Sequence, residues 1–220
     1  MKEITWIIDQ ATGTLTVEGL HDADFNELAS DLLPQAEHIN CARPARVPPL
    51  SVLRTGEQSD EPSLRVFRIY HNSVVDGPGR RSVVQLAGCL LRCVGCYVPE
   101  THDLQGGVLV GIGEVLELLL DQQGEPRDGV TVLGGEPFLQ PEGLAALVGA
   151  LKERHLHVTL YTGYTLETLL AREEKAVSEV LALTDLLIDG PFVASLTRGA
   201  GEWRGSTNQR IISQPLRVQP

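Results

Sequence analysis

Residues 85–97 read Gln85-Leu-Ala-Gly-Cys-Leu-Leu-Arg-Cys-Val-Gly-Cys-Tyr97 and contain three of the four cysteines of the chain. The spacing Cys89-x3-Cys93-x2-Cys96 allows one tight loop to direct three thiolates toward a common centre. Soft thiolates suit zinc or an iron-sulfur cluster, and a closed structural site needs four protein ligands. A [4Fe-4S] cluster on three cysteines leaves one iron open to a small molecule. The loop is therefore predicted to be catalytic.

Other ligand sets remain open at this point. Cys41 is the only other cysteine, lies far upstream in a proline-rich stretch, and is predicted to be an ordinary thiol. His71 and His102 flank the cysteine loop, and either one could complete a Cys3His zinc site. A zinc site of this kind would make the chain a binding module rather than an enzyme.

Length, composition and charge restrict the class of partner. The chain has 220 residues and 42% hydrophobic content, enough for one full core and a small additional unit. A net charge of -11 argues against a nucleic-acid or anionic-membrane surface, since phosphate binding needs clustered Lys and Arg. No apolar run approaches the length of a membrane span, and the first residues lack the apolar core of a signal peptide. We predict a cytoplasmic protein with small-molecule or protein partners, which agrees with cysteines grouped for metal binding.

Residues 1–63 are predicted to form a small α+β extension. Residues 4–8 and 14–17 are typical of two strands joined by a glycine-containing turn. Apolar residues at helical spacing between 25 and 32 predict a short helix. Residues 40–63 contain four prolines and predict a linker, so we place the boundary of the main domain near Leu64.

Residues 64–220 are predicted to form an α/β core domain. Short β-rich runs indicate five strands, at residues 64–70, 82–86, 130–133, 158–161 and 186–188. Apolar residues at three- and four-residue steps predict three helices between them, beginning at Ile112, Leu144 and Leu166, the last one extending to Val177. A βαβα order with right-handed crossovers predicts a parallel sheet or partial barrel with functional loops at the carboxyl ends of the strands. The cysteine loop and residues 134–137 both follow such ends and should face one pocket.

The segment Gly134-Gly-Glu-Pro137 follows a predicted strand. The glycines of the chain match neither the P-loop nor the dinucleotide-binding spacing, so a nucleoside triphosphate site is not indicated. The two glycines alone could form a simple turn. Glu136 favours a ligand site over a simple turn, because a carboxylate beside a bare backbone can accept from an ammonium group while the ligand approaches closely. An amino-acid-like ligand is therefore predicted.

The paired motifs at Cys89–Tyr97 and Gly134–Pro137 resemble those of radical S-adenosylmethionine (SAM) enzymes. Asp76-Gly-Pro-Gly-Arg-Arg81 resembles the Asp-Gly-Pro-Gly-x-Arg signature of glycyl-radical-enzyme activases. Three later segments are similar to segments of the activating proteins of anaerobic (class III) ribonucleoside-triphosphate reductases: Tyr161-Thr-Gly-Tyr164, Leu187-Ile-Asp-Gly-Pro-Phe192 and Trp203-Arg-Gly-Ser-Thr-Asn-Gln209. The resemblance covers about residues 66–213.

This resemblance implies a partial (βα) barrel of radical SAM type with two cofactors, a [4Fe-4S] cluster and SAM. Three cysteines are implied as cluster ligands and catalytic residues: Cys89, Cys93 and Cys96. The amine and carboxylate of SAM would chelate the open iron. The implied SAM-binding residues are Gly95, Cys96 and Tyr97 along the adenine, Gly134, Gly135 and Glu136 at the methionine ammonium, and Thr162 and Asp189 on later strand ends.

The implied reaction is reductive cleavage of SAM to a 5′-deoxyadenosyl radical, which generates a glycyl radical on a partner enzyme, anaerobic ribonucleoside-triphosphate reductase. A flavodoxin or ferredoxin-like protein would donate the electron, with no nucleic acid or membrane partner. Val98 and His102 stand where the family commonly has Asn and Trp, and residues 1–63 are additional. Two alternatives therefore remain: a radical SAM enzyme that modifies a small molecule or peptide, and a zinc or iron-sulfur binding module without enzymatic activity.

Overall fold

A computed structural model describes residues 5–9, 14–18, 62–120 and 127–216. The chain divides into two compact units, Met1–Ala45 and Arg46–Pro220. In the first unit, β1 (Thr5–Asp9) pairs antiparallel with β2 (Thr14–Glu18), which confirms the predicted hairpin. The helix predicted at residues 25–32, most of the linker predicted at 40–63, and Cys41 lie outside the described residues.

The second unit is built on a seven-stranded sheet with the order β5-β3-β4-β6-β7-β8-β9. Its strands are β3 (Ser63–Ser73), β4 (Arg81–Leu86), β5 (Val108–Gly111), β6 (Gly129–Gly134), β7 (His157–Tyr161), β8 (Leu186–Asp189) and β9 (Arg210–Ser213). The four central strands β4, β6, β7 and β8 are parallel, as predicted. Strands β4 and β8 are buried along their whole length, because both faces of a parallel sheet are covered. The fold is of the α/β class.

Both edges of this sheet are antiparallel, so the predicted βαβα order does not hold throughout. Strand β3 runs antiparallel to β4 and β5, and β9 runs antiparallel to β8. Strands β5 and β9 were not predicted, because each has only four residues and shows little burial. The result is a mixed sheet with a parallel centre.

In the part of the chain that the structure describes, four α-helices connect the strands: α1 (Ile112–Leu120), α2 (Pro141–Glu153), α3 (Leu166–Leu170) and α4 (Lys175–Leu183). The prediction of one continuous helix from Leu166 to Val177 is wrong. Glu173 has a φ of 53°, which a right-handed helix cannot contain. The Arg172 side chain holds this break, since it donates to the Phe138 carbonyl at 2.9 Å and to the Glu174 carboxylate at 2.8 Å. Within the described ranges, no helix is long and apolar enough to cross a membrane.

The hydrophobic core lies between the helices and one face of the sheet. Helix α2 contributes Leu144, Leu147, Val148 and Leu151, all without solvent exposure and all at the spacing of one helical stripe. Each such side chain stabilises the fold by roughly 1.5–3 kcal/mol relative to an exposed position. This packing fixes the sheet, and the sheet places the loops at its carboxyl ends.

Arg81 is a fully buried arginine at the start of β4. It donates to Thr131 Oγ1 at 2.6 Å and to the carbonyls of Pro78, Val130 and His157 at 2.9, 2.6 and 3.0 Å. One side chain therefore joins the amino ends of β4, β6 and β7 to the preceding loop. Burial lowers the pKa of Arg81 to about 10, which still leaves the guanidinium charged at neutral pH. The last residue of the activase-like signature thus acts as a structural clamp.

Replacing Arg81 with methionine is expected to lower the free energy of unfolding by about 3–5 kcal/mol, because the buried acceptors lose their donor. Urea denaturation of both proteins measures the change. Arg154→Met is the matched control, since Arg154 is exposed and donates to the Ala150 carbonyl at the end of α2. Its effect should stay within about 0.5 kcal/mol. Equal losses of unfolding free energy in Arg81→Met and Arg154→Met would contradict the role of Arg81 as a structural clamp.

Candidate active site

A cavity of about 700 Å³ lies at the carboxyl ends of the four parallel strands. The segments that follow these strands all contribute to its wall: the cysteine loop after β4, Gly134 and Gly135 at the end of β6, Thr162 and Gly163 after β7, and Gly190 and Phe192 after β8. Its volume is within the range of about 300–1,000 Å³ that is usual for small-molecule sites. The structure therefore brings the cysteine loop and the Gly134-Gly135 segment to one pocket, as the sequence predicted.

The cysteine loop, defined here as residues 89–97, has two faces. All of its cysteines are free thiols that line the cavity: Cys89, Cys93 and Cys96. Between them, Leu90 and Val94 are 58% and 88% exposed and do not line the cavity. The alternation places three soft ligands on the inner face of one short loop.

The backbone around Cys89 favours a bound thiolate. Burial raises the pKa of the Cys89 thiol, and the backbone N–H groups of Arg92 and Leu91 oppose this rise by donating hydrogen bonds to the sulfur. Arg92 has a φ of 46°, an uncommon conformation for a residue with a side chain. Hydrogen bonds to sulfur are one of the means by which proteins tune iron-sulfur clusters. The loop therefore supplies suitable donors as well as thiolates.

A site for a single metal ion would need a different arrangement of donors. Among the residues that the structure describes, no three His, Cys, Asp or Glu side chains converge as ligands of one ion. The ligands of a [4Fe-4S] cluster bind different irons and surround the cluster, so they need not meet at one point. His71 Nδ1 lies 2.8 Å from Ser82 Oγ, whereas His102 lines the cavity. Three free thiols on one cavity wall fit an iron-sulfur cluster.

The end of β6 has no room for side chains where it meets the segment after β4. A Cβ at Gly134 would overlap backbone atoms of Leu86, and a Cβ at Gly135 would overlap the Gly88 carbonyl. Hydrogen bonds continue across this junction, from Gly135 N–H to Leu86 O at 2.8 Å and from Glu136 N–H to Gly88 O at 2.7 Å. The cavity wall here is a bare backbone edge, which a ligand can approach closely.

Glu136 is fully buried and does not line the cavity. Its carboxylate accepts from Phe138 N–H at 3.0 Å, Thr162 Oγ1–H at 2.9 Å and Gly163 N–H at 2.8 Å. It thereby joins the end of β6 to the segment after β7 and positions Thr162 on the wall. Burial raises the pKa of Glu136 to about 7, although these three donors act in the opposite direction. The predicted contact of Glu136 with an ammonium group stays a prediction.

The raised pKa of Glu136 should make the stability of the metal-free protein depend on pH. The unfolded protein releases this proton near pH 4.5, the ordinary pKa of a glutamate side chain, whereas the folded protein keeps it up to about pH 7. The protonated carboxyl therefore contributes stability below 4.5, and this is lost as pH rises through 7, by roughly 3 kcal/mol in total. In Glu136→Gln the side chain cannot ionise. The melting temperature of the variant should therefore rise relative to that of wild type as the pH increases from 4.5 to about 7.

Calorimetry at several pH values compares the two proteins. Glu142→Gln is the matched control, because Glu142 is an exposed carboxylate on α2. The control should follow the wild-type pH profile. Parallel profiles of melting temperature against pH for wild type and Glu136→Gln would refute the raised pKa of Glu136.

Tyr97 and Phe192 form an aromatic corner of the cavity. Their ring centroids are 4.8 Å apart with a tilt of 47°. Gly95 lies against Ala194, where a Cβ would be 3.0 Å from the alanine side chain. The segment after β8 therefore covers part of the cysteine loop and presents aromatic surface to the cavity. Such a surface suits a flat ring such as adenine.

Asp189 lies behind the cavity wall rather than on it. Its buried carboxylate accepts from Leu166 N–H at 2.7 Å and pairs with Arg210, which also pairs with Glu167 at 2.8 Å. Asp189 therefore holds β9 and the start of α3 against the end of β8. The predicted contact of Asp189 with SAM stays a prediction.

Several wall residues were not predicted from the sequence, among them Arg68, Tyr70 and Gln85. The Arg68 Nε–H donates to Gln85 Oε1 at 2.5 Å. A bulge between Val66 and Arg68 changes which residues of β3 face the cavity. Val66 and Ile69 both belong to the hydrophobic core. Core residues three positions apart break the two-residue alternation of a regular strand, and this spacing was the signal in the sequence for the bulge.

Comparison with known proteins agrees with this cluster-binding pocket. The family model for a 4Fe-4S single cluster domain matches residues 75–212. The anaerobic ribonucleoside-triphosphate reductase-activating protein of Enterobacteria phage T4 is 35% identical over 150 residues, which are 66% of this chain and 92% of the relative. The protein of the same name from Salmonella typhi is 31% identical over 155 residues, 67% of this chain and 97% of the relative.

A relative that matches over a shorter stretch is named for a different target enzyme. The pyruvate formate-lyase-activating enzyme of Clostridium pasteurianum is 40% identical over 107 residues, 46% of this chain and 44% of the relative. The solved structure of QueE from Escherichia coli aligns with 47% of this chain and 53% of its own at 17% identity and a TM-score of 0.40, which is too low for any conclusion.

The pocket, the match to the 4Fe-4S domain family and the activating-protein relatives together define an iron-sulfur enzyme of the radical SAM class. Within that class, the chain belongs to the family of glycyl-radical-enzyme activating proteins. Its cofactors are a [4Fe-4S] cluster and SAM. The match favours the cluster over the Cys3His zinc alternative.

Proposed function

We propose that this chain generates a glycyl radical on an anaerobic ribonucleoside-triphosphate reductase. The match to activating proteins of that reductase over 92% and 97% of their own lengths carries the proposal. The likeness to the pyruvate formate-lyase activator covers only 44% of that enzyme, so the reductase is the favoured partner.

In this proposal Cys89, Cys93 and Cys96 hold the cluster. The backbone edge at Gly134 and Gly135 faces the methionine part of SAM. When bound, the two cofactors supply one-electron cleavage of SAM to methionine and a 5′-deoxyadenosyl radical. The residues of the chain orient SAM and exclude water, with the Tyr97 corner beside the adenine and Thr162 held in place by Glu136.

The exposed side chains at the mouth of the cavity favour a protein as the target of the radical over a small molecule. Val74, Val75 and Tyr97 line the cavity and are 67%, 70% and 70% exposed. Large exposed apolar side chains around a pocket are typical of a surface that a partner covers. A partner loop that carries the target glycine would cover them and keep water from the radical.

The test mixes reduced protein, SAM and a candidate reductase from the same organism. We expect the glycyl doublet in the electron paramagnetic resonance (EPR) spectrum of the reductase, with 5′-deoxyadenosine formed in parallel. Val75→Glu should weaken the doublet, whereas Leu109→Glu should not, because Leu109 is 52% exposed but lies on β5, away from the cavity wall. SAM cleavage without a doublet, together with modification of a small molecule or peptide, would support the alternative function.

We also propose that residues 64–220 carry the activity and that residues 1–63 affect partner choice or solubility. Strand β3 begins at Ser63, and the Pro62 carbonyl accepts from Ile112 N–H at 3.1 Å, so the truncated chain should begin at Pro62. It is expected to retain iron and SAM cleavage, measured by metal analysis and 5′-deoxyadenosine formation. A folded truncated protein that cannot cleave SAM would place the active site partly in the extension.

The proposal includes a cytoplasmic location and a flavodoxin or ferredoxin-like electron donor. A reducing compartment keeps thiols such as those of the cysteine loop available for iron. SAM cleavage consumes one electron per turnover, so a one-electron protein donor fits the chemistry.

A further inference from the structure

Four side chains form a row across the cavity wall, one on each of four neighbouring strands. They are Arg68 on β3, Gln85 on β4, Leu133 on β6 and Tyr161 on β7, and all of them line the cavity. Arg68 is opposite Gln85 in the sheet, and Gln85 is opposite Leu133. The row therefore lies next to the backbone edge at Gly134, where the proposed function places the methionine part of SAM.

The guanidinium of Arg68 is held along one edge only. Its Nε–H donates to Oε1 of the buried Gln85 side chain, and its Cζ lies 5.4 Å from the centroid of the Tyr70 ring. No hydrogen bond between described residues involves the two terminal nitrogens, Nη1 and Nη2. Arg68 is also exposed, so a group that enters the cavity from solvent can reach these nitrogens.

The charge of Arg68 is not compensated by a carboxylate of the described residues. The ion pairs between those residues involve other lysines and arginines, and none of them includes Arg68. Asp76 also lines the cavity, but its carboxylate accepts from the Tyr70 and Ser73 hydroxyls at 2.9 and 2.5 Å. In a chain with 29 acidic and 18 basic residues, Arg68 is therefore an oriented cation that is available to an external anion.

The path through the cavity indicates which anion reaches Arg68. Strand β3 runs antiparallel to β4, so from the carboxyl end of β4 downward the wall presents Arg68, then Tyr70, and then Val74 and Val75. In the proposed function, SAM lies at the upper end of this path with its own carboxylate on the open iron. The partner covers the two valines at the other end. A target segment that extends from the valines to SAM therefore passes Arg68.

The spacing of the strands limits where the anion lies in the target segment. Strand β4 separates β3 from β6, and neighbouring strands are about 4.8 Å apart, so the backbone of Arg68 is about 10 Å from that of β6. An extended segment advances about 3.3 Å per residue, so about three residues of the target span this distance.

We propose that Arg68 binds the carboxylate of an aspartate or glutamate that lies about two to four residues from the target glycine. This inference rests on the proposed function and names a feature of its target sequence. The two terminal nitrogens of the guanidinium can donate to the two oxygens of one carboxylate, while Gln85 and the Tyr70 ring keep the guanidinium in place. Arg68 thereby selects the target segment and sets which glycine faces SAM.

The experiment measures the binding of short fluorescent peptides to the cluster-loaded, SAM-bound protein by anisotropy. Each peptide has a central glycine and one aspartate about two to four residues from it, and matched peptides carry asparagine or lysine instead. Wild type should bind the best aspartate peptide about tenfold or more tightly than its asparagine match. Arg68→Gln should remove this preference, and Arg68→Glu should reverse it in favour of the lysine peptide.

Arg65→Gln is the matched control. Arg65 is an arginine on the same strand that donates to Gln105 and does not line the cavity, so this variant should keep the aspartate preference. Iron content and the dissociation constant of SAM are measured in every variant. The dissociation constant of SAM in Arg68→Gln should stay within about twofold of wild type.

Three results would overturn the inference. Wild type could bind the aspartate and asparagine peptides equally at every position, or the aspartate preference could survive in both Arg68→Gln and Arg68→Glu. A large loss of SAM affinity in Arg68→Gln, with the peptide preference intact, would assign Arg68 to the carboxylate of SAM instead.

Failure of the proposed function is a different observation, because wild type would then cleave SAM without producing a doublet on any candidate reductase. The charge preference is read from peptide binding alone, so it is measured whether or not a doublet forms.

Discussion

Replacement of Cys93 with alanine is expected to leave the anaerobically reconstituted protein without a [4Fe-4S] cluster and without SAM cleavage. The inner face of the cysteine loop presents three thiols to the cavity, and a cluster with an open iron needs all of them. Cys89→Ala and Cys96→Ala should give the same result. Iron and sulfide analysis and the EPR spectrum after reduction measure the loss of the cluster, and chromatography of 5′-deoxyadenosine measures the loss of SAM cleavage.

Cys41→Ala is the matched control for these variants. Cys41 lies outside the described residues, in a proline-rich stretch far from the loop in sequence. This variant should keep full iron content and activity. Iron retained in Cys93→Ala, or lost in Cys41→Ala, would contradict the ligand assignment. One zinc per chain without iron would instead support the binding-module alternative.

Gly135→Ala should weaken SAM binding by about tenfold or more, which corresponds to about 1.4 kcal/mol. The added Cβ would overlap the Gly88 carbonyl, and the backbone must move where Gly135 N–H and Glu136 N–H bond the segment after β4. The same strain should lower the free energy of unfolding by about 1–3 kcal/mol. Equilibrium dialysis of SAM and urea denaturation measure the two effects.

Gly149→Ala is a control that introduces the same methyl group into open space. A Cβ at Gly149, within α2, meets no atom within 4 Å. This variant should bind SAM like wild type and gain about 0.5–1 kcal/mol of stability, because alanine favours a helix over glycine. Normal SAM affinity in Gly135→Ala would refute the placement of SAM against this backbone edge.

The parallel centre of the sheet was predictable because its strands and helices carry strong periodic patterns. The edges were less predictable: β9 has four residues, of which three are exposed, so no alternation of apolar residues marks it. The helix break at Glu173 was missed because the apolar spacing continues across it. The break depends on a bond from Arg172 to the Phe138 carbonyl, which is distant in sequence.

The cysteines of the site were predictable because thiolate chemistry and spacing are local properties. The directions in which the carboxylates of Glu136 and Asp189 point could not be predicted in the same way. A carboxylate at a strand end can face the pocket or turn toward a neighbouring loop. Glu136 turns toward Gly163 N–H and Asp189 toward Leu166 N–H, and both donors come from other segments of the chain. Only the three-dimensional structure shows that these two side chains brace the wall.

The aromatic corner joins residues that leave the ribosome at different times. Tyr97 and Phe192 are about 95 residues apart in the chain. At a synthesis rate of about 5–20 residues per second, the cysteine loop emerges roughly 5–20 s before the segment that covers it. A nascent chain thus carries three uncovered thiols during that interval, open to oxidants and stray metals. The order of the sequence favours iron loading after translation has ended, when the later strands have closed the wall.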